Sequence, residues 1–222
     1  MSFSELKKQS LSQLNGKKKN AALTFLIITI ITSIVSKVAN TIFPGEKNYL
    51  EGITITRSNP IATFIIFAVG VFLGLGFTSY FLKIVRGEET GIDEIFSKTK
   101  VFPKALVSQI LVSFFSTLGC IFLIVPGIII YIGYAMIDYI YIDNPEIGIT
   151  DVMKKSREMM KGHKWEYFCL TLSFYGWIIL GIFTLGILYF WLIPYMNTTF
   201  TNFYEKIKDG NVIENVTNEI EE

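Results

Sequence analysis

The stretch ALVSQILVSFFSTLGCIFLIVPGIIIYIGYAMIDYIYI, residues 105–142, decides how this chain is threaded. Its 38 residues are apolar almost throughout, and Asp138 is the one charge among them. A single helix of that length would reach about 57 Å at 1.5 Å per residue, nearly twice a hydrocarbon core of roughly 30 Å. The stretch therefore reads as two helices. The break is expected at Pro126-Gly127, where a backbone donor is missing and the chain is free to turn. Residues 165–203 pose the same problem at nearly the same length, and Gly181 with Thr184-Leu185-Gly186 supplies the interruption. Two shorter apolar runs, near 21–43 and 61–85, are each one span.

Charge placement tests this threading. Seventeen of the twenty lysines and arginines fall in four blocks, at 7–19, 83–104, 154–164 and 206–208. Six crossings with both termini in the cytosol put all four blocks on the inner side, as the positive-inside rule requires. If Pro126-Gly127 only kinked one long helix, the block at 154–164 would face outward. The sequence thus predicts an all-α membrane protein with six transmembrane helices, at roughly 21–43, 61–83, 105–125, 128–142, 165–183 and 187–205. Residues 209–222 read as an acidic, disordered tail.

Composition agrees with this class. The chain is 51% hydrophobic with mean hydropathy +0.46. Its net charge of +1 gives no basic field for nucleic acid. Cys120 and Cys169 both lie in apolar runs and read as buried free thiols rather than a disulfide. The abundance of Ile, Lys and Asn points to an AT-rich bacterial genome, hence to the bacterial cytoplasmic membrane.

Each basic block reads as a helix lying along the membrane surface. Helical spacing gathers Val152, Met153, Ser156, Met159, Met160 and His163 on one face, opposite Lys154, Arg157, Glu158, Lys161 and Lys164. Ile92, Ile95, Phe96 and Phe102 do the same earlier, and Phe3, Leu6, Leu11 and Leu14 near the start. The blocks also match one another. Residues 89–96 parallel 146–153, and Leu6, Lys8, Ser10, Leu14, Gly16 and Lys18 correspond at constant offset to Val152, Lys154, Ser156, Met160, Gly162 and Lys164. The expected architecture is three transmembrane hairpins, each preceded by a cytoplasmic amphipathic interfacial helix.

Five ordered motifs carry a resemblance. They are Leu123-Ile-Val-Pro-Gly-Ile128, Asp143-Asn-Pro145, Ser156-x-x-Met159-Met160-x-Gly162-x-Lys164, Leu172-Ser-Phe-Tyr-Gly-Trp177, and Ile193-Pro-Tyr195 running on to Asn202-Phe-Tyr204. Together they resemble the bacterial integral membrane family catalogued as domain of unknown function 975, over nearly the whole chain. The resemblance implies a multi-span membrane protein and brings no catalytic or binding residues with it.

Three polar residues are candidates for function. Asp138 lies inside a predicted span, where a carboxylate costs about 2.5–3.5 kcal/mol on insertion scales; it suits a cation relay or a headgroup belt with Tyr134, Tyr139 and Tyr141. Lys37 either meets an anion or snorkels to the outer interface. His163, the single histidine, either touches a lipid phosphate or ends a surface helix. Gly70 and Gly74 form a small-residue face expected to pack against another helix, within the chain or in a homo-oligomer. Pro194 is expected to kink the last span.

No catalytic, cofactor-binding or metal-ligating constellation is legible. The expectation is a non-enzymatic protein that binds anionic lipid headgroups or membrane protein partners. The competing expectation is a transporter or channel for a small solute, ion or peptide, built around Asp138.

Overall fold

The computed structural model describes residues 3–50 and 53–221, with side chains described except at 47–50, 53–55, 122 and 211–221. The elements run α1 (Phe3–Gln13), α2 (Lys18–Ile42), β1 (Glu46–Leu50), β2 (Ile53–Arg57), α3 (Pro60–Val85), a 3₁₀ turn (Ile92–Phe96) and α4 (Phe102–Phe122). There follow α5 (Ile124–Gly133), α6 (Ile137–Asp143), α7 (Ile149–Met159), α8 (Lys164–Phe183) and α9 (Tyr189–Glu221). The chain is 79% helical, which establishes the all-α class. The exception is the antiparallel hairpin β1–β2, in register from Glu46↔Arg57 to Leu50↔Ile53, which the helical reading did not anticipate. The tail expected at 209–222 lies outside the residues described in full.

Five helical stretches are long and apolar enough to cross a membrane: Lys18–Ile42, Pro60–Val85, Phe102–Ile121, Ile124–Asp143 and Lys164–Phe183. Their surfaces carry large exposed apolar side chains such as Ile42, Phe114, Ile121, Trp177 and Phe183. An aqueous surface would not sustain apolar exposure on this scale, and hydrocarbon would. α9 is absent from this set for a physical reason. It buries Thr198, Thr199, Thr201 and Asn202, so its polarity points into the bundle and lowers its hydropathy.

The break in the opening stretch is displaced from its expected place. Leu123 alone leaves helical conformation, at φ −159° and ψ 139°, and α5 begins at the next residue. Pro126 sits in the first turn of α5, where a missing N–H leaves no internal hydrogen bond unmade. Gly127 serves the close approach of α4 and α5. A Cβ there would stand 2.7 Å from the Cys120 nitrogen and 2.9 Å from the Ser116 oxygen. The fourth apolar stretch therefore starts at 124 rather than 128 and gains length to cross. The second break lies where expected: α8 ends at Phe183, Leu185 takes φ 52°, and Thr184 accepts from the Leu188 backbone nitrogen. Both cysteines are free, yet neither is buried as expected: Cys120 is exposed and Cys169 half-buried.

Packing centres on α9, which touches α1, α2, α3, α7 and α8. The main apolar core joins Leu6, Leu82, Met136, Ile140, Val152, Leu170, Phe174 and Phe203, while Ala21 of α2 packs in a smaller cluster with Leu14, Tyr80, Phe81 and Ile84. Pro194 lies inside α9 without ending it, and Thr198 Oγ1 donates to its carbonyl oxygen at 2.9 Å.

The middle basic block departs from expectation. Where an amphipathic helix was expected around Ile92–Phe102, only the short 3₁₀ turn forms. Phe96 is exposed, and Glu94 is buried beside Ile95. The cause is Gly76: a Cβ there would stand 2.5 Å from the Ile95 Cα and closer still to its carbonyl. The turn's backbone lies directly on α3, which holds it flat and gives Glu94 partners on both sides.

Candidate polar end of the bundle

The basic blocks converge on one end of the helix bundle, and three carboxylates organise them. Asp143, closing α6, accepts from Arg86 (2.9 Å), Tyr204 (2.8 Å) and Lys208 (2.7 Å), while Arg86 also holds Glu205 at 2.7 Å. This hub ties the ends of α3 and α6 to the middle of α9. Tyr139 stacks on Tyr204 at 4.8 Å and extends the contact into the apolar core. Burial alone would lower the Arg86 pKa, but hydrogen bonds from its guanidinium to Asp143 and Glu205 outweigh that and raise it. Glu166 forms the second hub, bonded to Lys206 and, at 3.3 Å, to His163.

Glu94 is the third hub. Its carboxylate accepts from Ser79 (2.5 Å), Lys83 (2.5 Å), Ser97 (2.8 Å) and Lys98 (3.1 Å). Burial pushes its pKa up, yet hydrogen bonds from Lys83, Ser79, Ser97 and Lys98 prevail and hold it at about 2. A carboxyl group whose folded pKa lies below its unfolded value stabilises the fold above the unfolded value. That contribution is lost as pH falls through the folded value. Detergent-solubilised protein should therefore lose thermal stability on acidification from about pH 4.5 towards 2. Glu94→Gln should flatten that part of the profile; an unchanged profile would remove Glu94 from the account.

Candidates read from the sequence are dispersed. Asp138 is partly buried in α6 and accepts a 3.1 Å hydrogen bond from Gln109 Nε2 of α4. His163 pairs with Glu166 and meets the Phe203 ring edge-on. Lys37 is exposed near the far end of α2 and contacts neither of these. Gly70 is exposed, and nothing lies within 4 Å of a Cβ built at Gly70 or Gly74; the close approach on α3 belongs to Gly76 instead. Asp143 and Glu166 escaped the sequence reading because partners lie up to 65 residues away; Glu94, read from the sequence as an exposed surface charge, is instead buried with partners no more than 15 residues away. Asp143-Asn-Pro145 was legible as a motif but gave no hint of what it holds.

The internal match seen in the sequence has a structural counterpart. Leu6 and Val152 are both fully buried, as are Ser10 and Ser156. Gly16 and Gly162 adopt φ +83° and +84°, the left-handed region that glycine enters without steric cost. Two residues later the chain re-enters helix, at Lys18 for α2 and Lys164 for α8. The two buried serines tie their helices down differently. Ser10 accepts from Asn202 of α9 at 3.0 Å, and Ser156 accepts from the Met136 nitrogen at 3.3 Å and donates to the Gly133 oxygen.

A cleft opens beside each of these two joints. One, of about 690 Å³, is lined by Tyr134, Met153, Lys154, Arg157, Lys161 and Lys164 among others. The second, of about 520 Å³, has Lys7 and Lys18 with Leu11, Trp177, Trp191 and Leu192. Lys7 is half-buried with Nζ 4.4 Å from the Phe174 ring centroid, and burial lowers its pKa.

Comparison with known proteins follows from this geometry. The model of a family described as Protein of unknown function (DUF975) matches residues 1–133 and 117–211. No curated protein and no solved structure matches the chain.

Proposed function

We propose a role that proceeds from one premise: the chain belongs to the DUF975 family. On our reading it is a six-span protein of a bacterial cytoplasmic membrane, arranged as three hairpins with both termini in the cytosol. Its work is binding rather than chemistry: it holds lipid headgroups or membrane partners as an accessory component. α9 supplies the sixth crossing, its threonines bonded to carbonyls four residues back and Asn202 to Ser10 and Gln13 of α1.

The observation that carries this reading is the polar end itself. Three carboxylate hubs fasten the helix ends to one another, and surplus lysines and arginines line open clefts there. Inside the bundle, polar groups meet in pairs: Ser108 with Tyr141 at 2.8 Å, Gln109 with Asp138, and Tyr139 with Thr201 at 3.4 Å. Mutual satisfaction of this kind suits a packed scaffold better than a water-filled path.

Site-directed labelling tests the reading. Single cysteines at Arg57 and at Lys155, both exposed, would be introduced with Cys120 and Cys169 replaced by alanine. An impermeant maleimide should modify position 57 in intact cells, and position 155 only after the membrane is opened. Labelling of 155 from outside would overturn the threading and the role drawn from it.

A further inference from the structure

The two helix–glycine–helix joints share more than backbone shape. At the repeat offset, Lys7 corresponds to Met153, Leu11 to Arg157 and Lys18 to Lys164, and all six residues line the two clefts. The same three positions thus face a cavity in both copies, although their side chains differ. In each copy the shared element is a lysine at the foot of the second helix, lining a cleft to which the first helix also contributes.

The electrostatics of both clefts call for an anion. No ion pair holds Lys7 among the described residues; its ammonium rests on the Phe174 ring instead, a contact that leaves its charge uncompensated. The cleft beside α7 gathers Lys154, Arg157, Lys161 and Lys164 against one carboxylate, Glu158, whose nearest cation stands 4.0 Å away. Apolar surface adjoins the cleft of Lys7 and Lys18: Leu188, Leu192 and the exposed faces of Trp177 and Trp191 continue from the lysines along α8 and α9. A ligand with a compact negative head and hydrocarbon chains satisfies both halves of this surface.

We infer that the two joints are paired sites for the phosphate of an anionic glycerophospholipid, Lys7 with Lys18 forming one and Arg157 with Lys164 the other. This rests on the membrane-binding reading above and makes it specific. A lipid with net negative charge gains about 1 kcal/mol from each basic side chain near its phosphate. A zwitterionic lipid brings its own ammonium into a cation-rich cleft and forfeits that gain.

The test uses the full chain in mild detergent, titrated with phosphatidylglycerol or phosphatidylcholine and read by native mass spectrometry. Two phosphatidylglycerol molecules are expected to bind at least tenfold more tightly than phosphatidylcholine. Lys7→Gln/Lys18→Gln should remove one of them and Arg157→Gln/Lys164→Gln the other. Lys100→Gln, an exposed lysine outside both clefts, should keep both. Thermal unfolding matching the parent protein would show that each variant is folded. Excess inorganic phosphate should not displace the lipid.

Equal binding of the two lipids, full binding by the paired variants, or equal loss in Lys100→Gln would each overturn the proposal. So would displacement by phosphate, which would mark a site for a soluble anion. If labelling at 57 and 155 comes out as expected while lipid counting fails, the joints are at fault and the threading stands.

Discussion

Gly76→Ala should unfold this protein more readily than any other single methyl group added to α3. The new Cβ would lie 2.5 Å from the Ile95 Cα, against backbone that cannot rotate away as a side chain could. Relief requires lifting the 3₁₀ turn off α3, and Glu94 would leave with it. Ser79 and Lys83 on α3 would then lose their acceptor. Overpacking of this kind costs about 3 kcal/mol, and the lost hydrogen bonds add to it. Gly70→Ala on the same helix meets nothing within 4 Å and should stay within about 0.5 kcal/mol of the parent. Thermal unfolding of the two variants in one detergent decides the matter. If Gly76→Ala melts with Gly70→Ala, the turn is not seated on α3 as described.

The second large effect is expected at Asp143. Its side chain is only 10% exposed, while Arg86 and Lys208 are 29% and 39% exposed. Asp143→Asn preserves shape but removes the negative charge that two cations and the Tyr204 hydroxyl share. Breaking a buried ion pair from one side costs about 3–5 kcal/mol. The partial exposure of both cations screens the loss and reduces it to about 2–3 kcal/mol. A double-mutant cycle separates the pair from the rest: Asp143→Asn with Lys208→Met should cost less than the two single changes summed. Strict additivity would show that Lys208 contributes nothing through Asp143.

The class of the fold was legible because hydropathy and length act locally. A run of apolar residues longer than a bilayer is thick declares its own break, whatever surrounds it. The site of the break was less legible. Pro126 attracts attention as a helix breaker, yet in the first turn of α5 it breaks nothing, and Leu123 turns without any residue-type signal. α7 could be read from its spacing, because buried Val152, Ser156 and Met159 recur at helical intervals; α1 follows its expected face only in part, with Leu6 and Leu14 buried but Phe3 and Leu11 exposed. The turn at 92–96 could not, since its conformation is imposed by a glycine on another helix.

The candidate site was legible only in part. Basic blocks announced a charged end to the bundle, but single residues drew notice for being rare rather than for where they lie. Asp138 and His163 prove to be satisfied by neighbours, Gln109 and Glu166. Lys37 stands away from both, and the acidic hubs went unnoticed because carboxylates beside lysines look like ordinary surface. What pairs Asp143 with Arg86 is the meeting of α3, α6 and α9, and no local pattern encodes that meeting.

The inward polarity of α9 bears on how such a chain is made. A segment carrying Thr198, Thr199, Thr201 and Asn202 partitions poorly into lipid on its own, because insertion scales penalise polar residues near a helix centre. Its asparagine finds partners in Ser10 and Gln13 at the opposite end of the polypeptide. α9 thus completes its bonding with α1, 192 residues earlier in the sequence. That bonding can close only once α1 and α9 have both been made and have met.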